Sequence, residues 1–345
     1  RSAGSRSLGE WLDGRLRDRE SPYAALVERG GEDPALEAAA RRDIETFTLL
    51  AELDWDQVLA EVGGKAPREY GPVLANLPRW RGSSPFSFAE LTELYRANGA
   101  GLFARHRAFL WEDGALCPVE QPDCPGADEM LGYELQRNRV IANTRAMLEG
   151  NLVNNVLLYG DSGTGKSATV KNLLTLPGFE ALRLIEVQKE GLADLPRLIR
   201  TLGGRRLKFI LFIDDLAFDQ DDKTYSALKT ILEGGLERRP ANVAVYATSN
   251  RRRLVRQTFS DRAGDEVDAS ETIQEKTSLS DRFGLRIPYL ALNQAEFLEL
   301  VEGMAEQAGI ALDRDSLRAE AVKWEMRNPG RTPRTAKQFI ASLSL

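Results

Sequence analysis

A short apolar run that breaks into a glycine loop and then a helix-forming stretch constrains this chain more than any other feature. Residues 154–167 read NNVLLYGDSGTGKS. Val156–Tyr159 has the composition of a buried strand, and Ala168–Leu174 that of a helix. Between them, Gly160-Asp161-Ser162-Gly163-Thr164-Gly165-Lys166-Ser167 fits G-x-x-x-x-G-K-[ST] at every fixed position. Strand, glycine loop and helix in that order belong to a parallel α/β sheet and to few other architectures.

The residue types state what such a loop can hold. Gly160, Gly163 and Gly165 let successive backbone N–H groups turn inward, where they meet phosphate oxygens. A following helix adds its positive N-terminal end. Lys166 has the reach for the β- and γ-phosphates, and the Ser167 hydroxyl can ligate Mg²⁺. The loop Gly160–Ser167 is therefore the expected site for the phosphates of a nucleotide with its metal.

A second stretch supplies carboxylates. Phe209–Ile213 is an apolar strand that ends in Asp214-Asp215. Strands this apolar are buried on both faces. In open parallel sheets ligands sit at the C-terminal strand ends, where the loop also opens. Asp214 is the expected holder of the Mg²⁺ hydration shell, and Asp215 can orient or deprotonate an attacking water. Val243–Thr248 is a further apolar strand, followed by Ser249-Asn250. Lying beside the acidic strand, it would let Asn250 position the same water.

Composition removes other classes. A net charge of −6 over 345 residues argues against a wholly basic nucleic-acid coat, though not against a local patch. Two cysteines, Cys117 and Cys124, make neither a disulfide scaffold nor a four-ligand zinc site. The one histidine, His106, has no triad-like surroundings. No apolar run approaches the ~20 residues of a membrane span, and no secretory leader is visible, so a cytoplasmic location is expected.

Along the chain, residues 1–65 read as helical. Ser7–Arg17 and Pro22–Arg29 are short amphipathic candidates. Asp33-Pro34 caps a run in which Leu36, Ala40, Ile44, Phe47 and Ala51 recur at helical spacing, ending at Gly63-Gly64. Residues 66–87 read as loop. Arg79-Trp80-Arg81 within them is the one N-terminal spot where stacking and charge on nucleic acid are conceivable. Ser87-Phe88-Ala89-Glu90 is a capping box, and Leu102–Leu110 a further helix candidate. The Pro-rich stretch 117–128 marks the expected boundary, giving a helical N-terminal region at 1–125. A helix over Met130–Glu149 follows.

From 155 the pattern alternates, with strands at Val156–Tyr159, Arg183–Val187, Lys208–Ile213, Val243–Thr248 and about Leu285–Tyr289. Helices are expected at Lys166–Leu174, Asp194–Leu202 and Thr224–Glu233. From Asn293 onward only helices are suggested, with caps at Asn293-Gln294-Ala295-Glu296 and Thr332-Pro333. The expected domains are 1–125, 126–290 and 291–345.

This order of parts resembles the AAA+ P-loop ATPases. Phe209–Asp215 is similar to a Walker B strand and Asn250 to sensor 1. Leu279-Ser280-Asp281-Arg282-Phe283-Gly284 resembles an arginine-finger box, and Arg331-Thr332-Pro333-Arg334-Thr335-Ala336 resembles sensor 2. From about Leu131 to the C-terminus the chain is similar to a bacterial AAA+ family described as ATP-binding proteins of unknown function. The stretches LRLIEV, ILFIDDL, LEGG, YATSNRR, EKTSLSDRFGL and TPRTAKQF carry that likeness.

The resemblance implies a five-stranded parallel sheet with a C-terminal helical lid. It implies ATP and Mg²⁺ as ligands, and Gly132 and Tyr133 at the adenine pocket. Arg282 would act in trans on a neighbour's nucleotide, so the chain would self-associate as a ring or helix. Arg334, in the first turn of the last helix, would answer the γ-phosphate.

Two departures matter. Most AAA+ motors end the acidic strand in Asp-Glu, whereas this chain has Asp214-Asp215, one methylene shorter. Residues 188–194, QKEGLAD, lack the aromatic of protein-threading rings. Arg251-Arg252-Arg253 continues from the sensor strand and reads first as a solvated basic turn, with contact to nucleic-acid phosphates as the alternative. Gln257–Glu275 reads as a polar, acid-rich insertion. The expected function is ATP hydrolysis coupled to remodelling of a protein client. The alternatives are a nucleic-acid-associated loader and a nucleotide-gated switch with very slow hydrolysis.

Overall fold

A computed structural model describes residues 8–65, 67–75, 87–217, 228–229, 231–232, 239–250, 279–328 and 330–343. The Arg79-Trp80-Arg81 triplet, most of Thr224–Glu233, Arg251–Arg253 and Gln257–Glu275 lie outside the described residues. The chain divides into two compact units, Arg1–His106 and Arg107–Leu345.

The first unit is helical: α1 (Leu8–Asp18), α2 (Pro22–Glu28), α3 (Pro34–Glu52), α4 (Trp55–Lys65), α5 (Gly71–Ala75), α6 (Phe88–Asn98) and α7 (Leu102–Arg105). Its starts are set by local chemistry. The Asp33 carboxylate accepts from the Ala35 and Leu36 amides at 2.9 and 3.2 Å, with Pro34 in the first turn. The Ser87 hydroxyl accepts from the Glu90 amide at 3.2 Å. Tyr23, Val27, Ile44, Leu91 and Tyr95 form its core.

The helix begun at Pro34 does not run to Gly63-Gly64. It ends at Glu52, and the Asp54 carboxylate caps a new helix through the Asp56 and Gln57 amides at 3.0 and 3.1 Å. Both glycines lie inside α4.

The second unit carries the sheet. Its strands are β1 (Ala108–Glu112), β2 (Ala115–Pro118), β3 (Val156–Gly160), β4 (Leu182–Val187), β5 (Lys208–Ile213), β6 (Val243–Ser249) and β7 (Leu285–Tyr289). The order is β2-β1-β4-β5-β6-β3-β7. All neighbours are parallel except β1 and β2. The sheet thus has seven strands, not the expected five. Nor is Leu102–Leu110 one helix: it stops at Arg105, His106 is extended, and Ala108 opens β1. Asp113 and Gly114 close the β1–β2 hairpin with φ of 49° and 74°, the positive pair that a two-residue hairpin turn needs. These strands precede the expected boundary at 125/126 and belong to the sheet.

Helices α8 (Glu134–Leu148), α9 (Lys166–Asn172) and α10 (Leu195–Leu202) belong to the same unit. Every residue of β6, and every residue of β5 after Lys208, is buried, as strands covered on both faces require. Val140, Met147, Val170, Leu173 and Phe179 pack with Val156, Leu158, Phe212 and Tyr246 in one cluster.

After β7 come α11 (Gln294–Gln307), α12 (Arg314–Arg327) and α13 (Pro333–Leu343). They share a core of Phe297, Val301, Leu317, Ala321 and Phe339. Asn293 and Glu296 form a two-way capping box at 3.0 and 2.9 Å. Among the described residues, no helix is long and apolar enough to cross a membrane.

Candidate functional site

Strand order brings the chemical residues together. β6 lies between β3 and β5, in register Tyr159↔Ser249 and Ile213↔Ala247. The residues that leave the C-terminal ends of three adjacent strands are therefore the glycine loop, Asp214-Asp215 and Asn250. From β3 the chain crosses to β4 on one side and later returns to β7 on the other, the switch point at which parallel sheets bind ligands.

Lys166 is the hub. It is 6% exposed. Its ammonium donates to Gly160 O at 3.1 Å, to Asp161 O at 2.6 Å and to Asn250 Oδ1 at 2.9 Å. Burial pulls its pKa below the ordinary lysine value, opposed by the nearby Asp161, Asp215 and Asp214 charges. Asn250 faces two ways, because its amide NH₂ also donates to Asp215 Oδ1 at 2.8 Å.

Asp214 accepts from Ser167 Oγ at 2.6 Å and from the Thr248 hydroxyl. The same Thr248 oxygen accepts from the Asp215 amide at 2.9 Å. Asp215 takes a left-handed backbone, φ 49°, uncommon for a residue with a side chain. Thr248 is the residue that sequence reasoning left without a role. The register of the sheet reveals that role: with Ile213 opposite Ala247, the next position of β6 falls beside the first carboxylate.

These groups line a cleft of about 710 Å³ together with Gly132, Tyr133, Met304 and Arg334. Gly132 and Tyr133 both have positive φ, 74° and 58°, at the start of α8. The Tyr133 ring stacks on Tyr289 with centroids 5.1 Å apart, and its hydroxyl donates to Leu290 O at 2.6 Å. Burial raises the pKa of that hydroxyl, so it stays a donor at neutral pH.

The C-terminal helices reach the loop through one contact region. The Arg334 amide donates to Gly163 O at 3.2 Å, and its guanidinium lies 3.4 Å from Ser162 Oγ. A Cβ on Gly163 would sit 3.0 Å from Arg334 Cβ and 3.2 Å from Thr332 Oγ1, so this approach uses the absence of a side chain. Arg282, by contrast, is exposed and is not among the residues lining the cleft.

The donor set fits magnesium shared with phosphate. Mg²⁺ is usually held by one or two carboxylates, a hydroxyl, water and substrate phosphate rather than by a protein cage. Ser167 Oγ and Asp214 Oδ1 make that partial set. Among the described residues no group of three or more His, Cys, Asp or Glu side chains could hold a metal unaided. Cys117 and Cys124 are half-buried free thiols.

The family described as "Protein of unknown function (DUF815)" matches residues 104–344. The chain belongs to the DUF815 family. No curated protein matches it. Among solved structures, this DUF815 chain is similar to the RuvB Holliday junction branch migration motor of Thermotoga maritima at 17% identity and a TM-score of 0.40, covering 64% of this chain and 63% of that one. It is also similar to the Aeropyrum pernix ORC1 protein in complex with DNA at 17% identity and a TM-score of 0.42, covering 63% and 60%. The chain thus spans less than two thirds of these relatives' length, and its functional reading rests on its own side chains.

Proposed function

We propose that the chain is a Mg²⁺-dependent AAA+ ATPase whose nucleotide state drives remodelling of a protein client. One observation carries the reading: Lys166, Ser167, Asp214, Asp215 and Asn250, spread over 85 residues of sequence, form one continuous hydrogen-bonded group at the mouth of a cleft.

In this reading the loop Gly160–Ser167 holds the triphosphate, with Lys166 donating to its β- and γ-oxygens. Ser167 and Asp214 hold magnesium, which supplies neutralisation of the phosphate charge. Gly132 and Tyr133 line the adenine end. Water forms a bond to the γ-phosphorus as the bond to the β-γ bridging oxygen breaks, giving ADP and phosphate. Asp215, held by Asn250, orients that water and receives its proton. Arg334 and the Arg282 of an adjacent subunit stabilise the charge on the transferring group. An assembly with sites shared between subunits follows.

The test is steady-state ATP turnover against protein concentration, with and without DNA, RNA and co-purifying proteins. Turnover that rises with assembly and with a protein client, and that falls roughly 10²-fold or more in Asp215→Asn, supports the reading. Stimulation by nucleic acid alone, with steep salt sensitivity, would replace the protein client by a nucleic acid. Tight ATP binding with no turnover at any concentration would leave a binding switch in place of a motor.

A further inference from the structure

We propose that Asp161 is a positioning residue that links occupancy of the phosphate loop to the hinge of the C-terminal helices. The inference rests on the nucleotide reading above and deepens it. The motif accepts any residue at this position, yet this chain places a carboxylate there, beside a site meant for a polyanion. Like charge at that spot opposes binding, so the carboxylate calls for another use.

The hinge supplies one. Residues 290–293 join β7 to α11, and their backbone groups are individually engaged. Leu290 O accepts from the Tyr133 hydroxyl at 2.6 Å. The Ala291 amide donates to Asp161 Oδ2 at 2.7 Å. The Leu292 amide donates to Arg331 O at 2.9 Å, and the Asn293 amide to Glu296 Oε2 at 2.9 Å. Of these four contacts, the one from Asp161 alone comes from the glycine loop. Just before the hinge, the Asp161 amide donates to Tyr289 O at 2.9 Å.

Asp161 is also tied to the group that would meet phosphate. Its carbonyl accepts from Lys166 Nζ at 2.6 Å. An ammonium has three N–H donors, and Lys166 points them at three acceptors of the protein: Gly160 O, Asp161 O and Asn250 Oδ1. A phosphate oxygen arriving at Lys166 must displace or share one of them. The Asp161 carbonyl also accepts from Thr164 Oγ1 at 2.8 Å, so a change at Lys166 redistributes the bonds on a residue that the loop still holds and whose carboxylate holds Ala291. Phosphate, Lys166, Asp161 and the Ala291 amide are therefore one physical chain of contacts ending at the helices that carry Arg334.

Amide hydrogen exchange of the full chain, with and without Mg-ATP, tests this. In the wild type, nucleotide should slow exchange across 163–169 and change it across 290–307. Asp161→Ala removes the acceptor and should reduce the hinge response at least about fivefold relative to the 163–169 response measured in the same variant at saturating nucleotide. Asp161→Asn keeps an acceptor oxygen and should preserve the hinge response. Asp161→Ser, too short to reach Ala291, should behave as the alanine variant and serves if that one fails to fold. A wild-type-sized hinge response in Asp161→Ala, or Asp161→Ser in its place, overturns the coupling. So does a loop response in the wild type without a hinge response. No response at 163–169 in the wild type overturns the nucleotide reading itself, and this inference with it.

Discussion

Two glycines of the same loop should respond very differently to the same methyl group. Gly160 has φ 135°, and a Cβ there would lie 2.1 Å from Tyr289 O and 2.7 Å from Tyr289 C. Both are backbone atoms of the neighbouring strand β7, so no side chain can rotate away. Gly160→Ala therefore forces β3 and β7 apart at their C-terminal ends and breaks the 2.9 Å bond from the Asp161 amide to Tyr289 O. A backbone held where a side chain is disfavoured costs about 1–3 kcal/mol, overpacking a similar amount, and the lost hydrogen bond about 1. The sum is roughly 3–7 kcal/mol, a large part of the ~5–15 kcal/mol that stabilises a typical domain. Gly165 has φ 89° but nothing within 4 Å of its added Cβ, so Gly165→Ala carries only the backbone term, about 1–2 kcal/mol. Exchange of the β3 and β5 amides, which reports opening of this unit, should accelerate about 10²–10⁵-fold in Gly160→Ala. In Gly165→Ala it should accelerate by no more than about 30-fold. Equal effects in the two variants would refute the close seating of the loop against β7.

Other consequences can be checked separately. Arg282→Ala should leave ATP affinity unchanged and remove turnover, and mixing it with Asp215→Ala should restore part of the activity; no rescue between folded, assembled variants would count against a shared site. Ser167→Ala removes the 2.6 Å partner of Asp214 and should weaken the magnesium-dependent part of nucleotide binding, read as the difference between titrations with Mg²⁺ and with chelator. In the C-terminal helices, hydrogen bonds from Arg314 and Arg318 hold the Glu302 carboxyl down to about 2. A depressed carboxylate stabilises above its unfolded value and loses that contribution as pH falls through the folded one. Glu302→Gln should therefore lower the melting temperature at pH 7 by the equivalent of about 1 kcal/mol or less, the arginines being solvent-screened, and the gap to wild type should close as pH falls from 4.5 toward 2.

The central strands were legible in the sequence because burial on both faces leaves continuous apolar runs. Phe209–Ile213 and Val243–Thr248 could hardly be anything else, and the motif spacing fixed where their polar ends had to emerge. The hairpin of β1 and β2 was not read. Its residues have mixed composition at a sheet edge, and Leu102–Leu110 looks helical when taken alone. The Asp113-Gly114 pair was the overlooked signal, since its φ values suit a tight hairpin and little else. Gly63-Gly64 misled in the opposite sense, because glycine pairs end helices by propensity while α4 carries them near its last turn. The Asp161–Ala291 bond spans 130 residues of sequence and lies at a position the motif leaves open, so no local pattern could announce it.

The central claim is that the loop and its converging side chains grip a nucleoside triphosphate. Equilibrium titration of Mg-ATP into the full chain and into a folded Lys166→Ala variant tests it most directly. Lys166 offers charge-assisted donors at the hub of the site, so the variant should bind at least about a hundredfold more weakly. Undiminished affinity in Lys166→Ala, or no saturable binding by the wild type, would contradict the account.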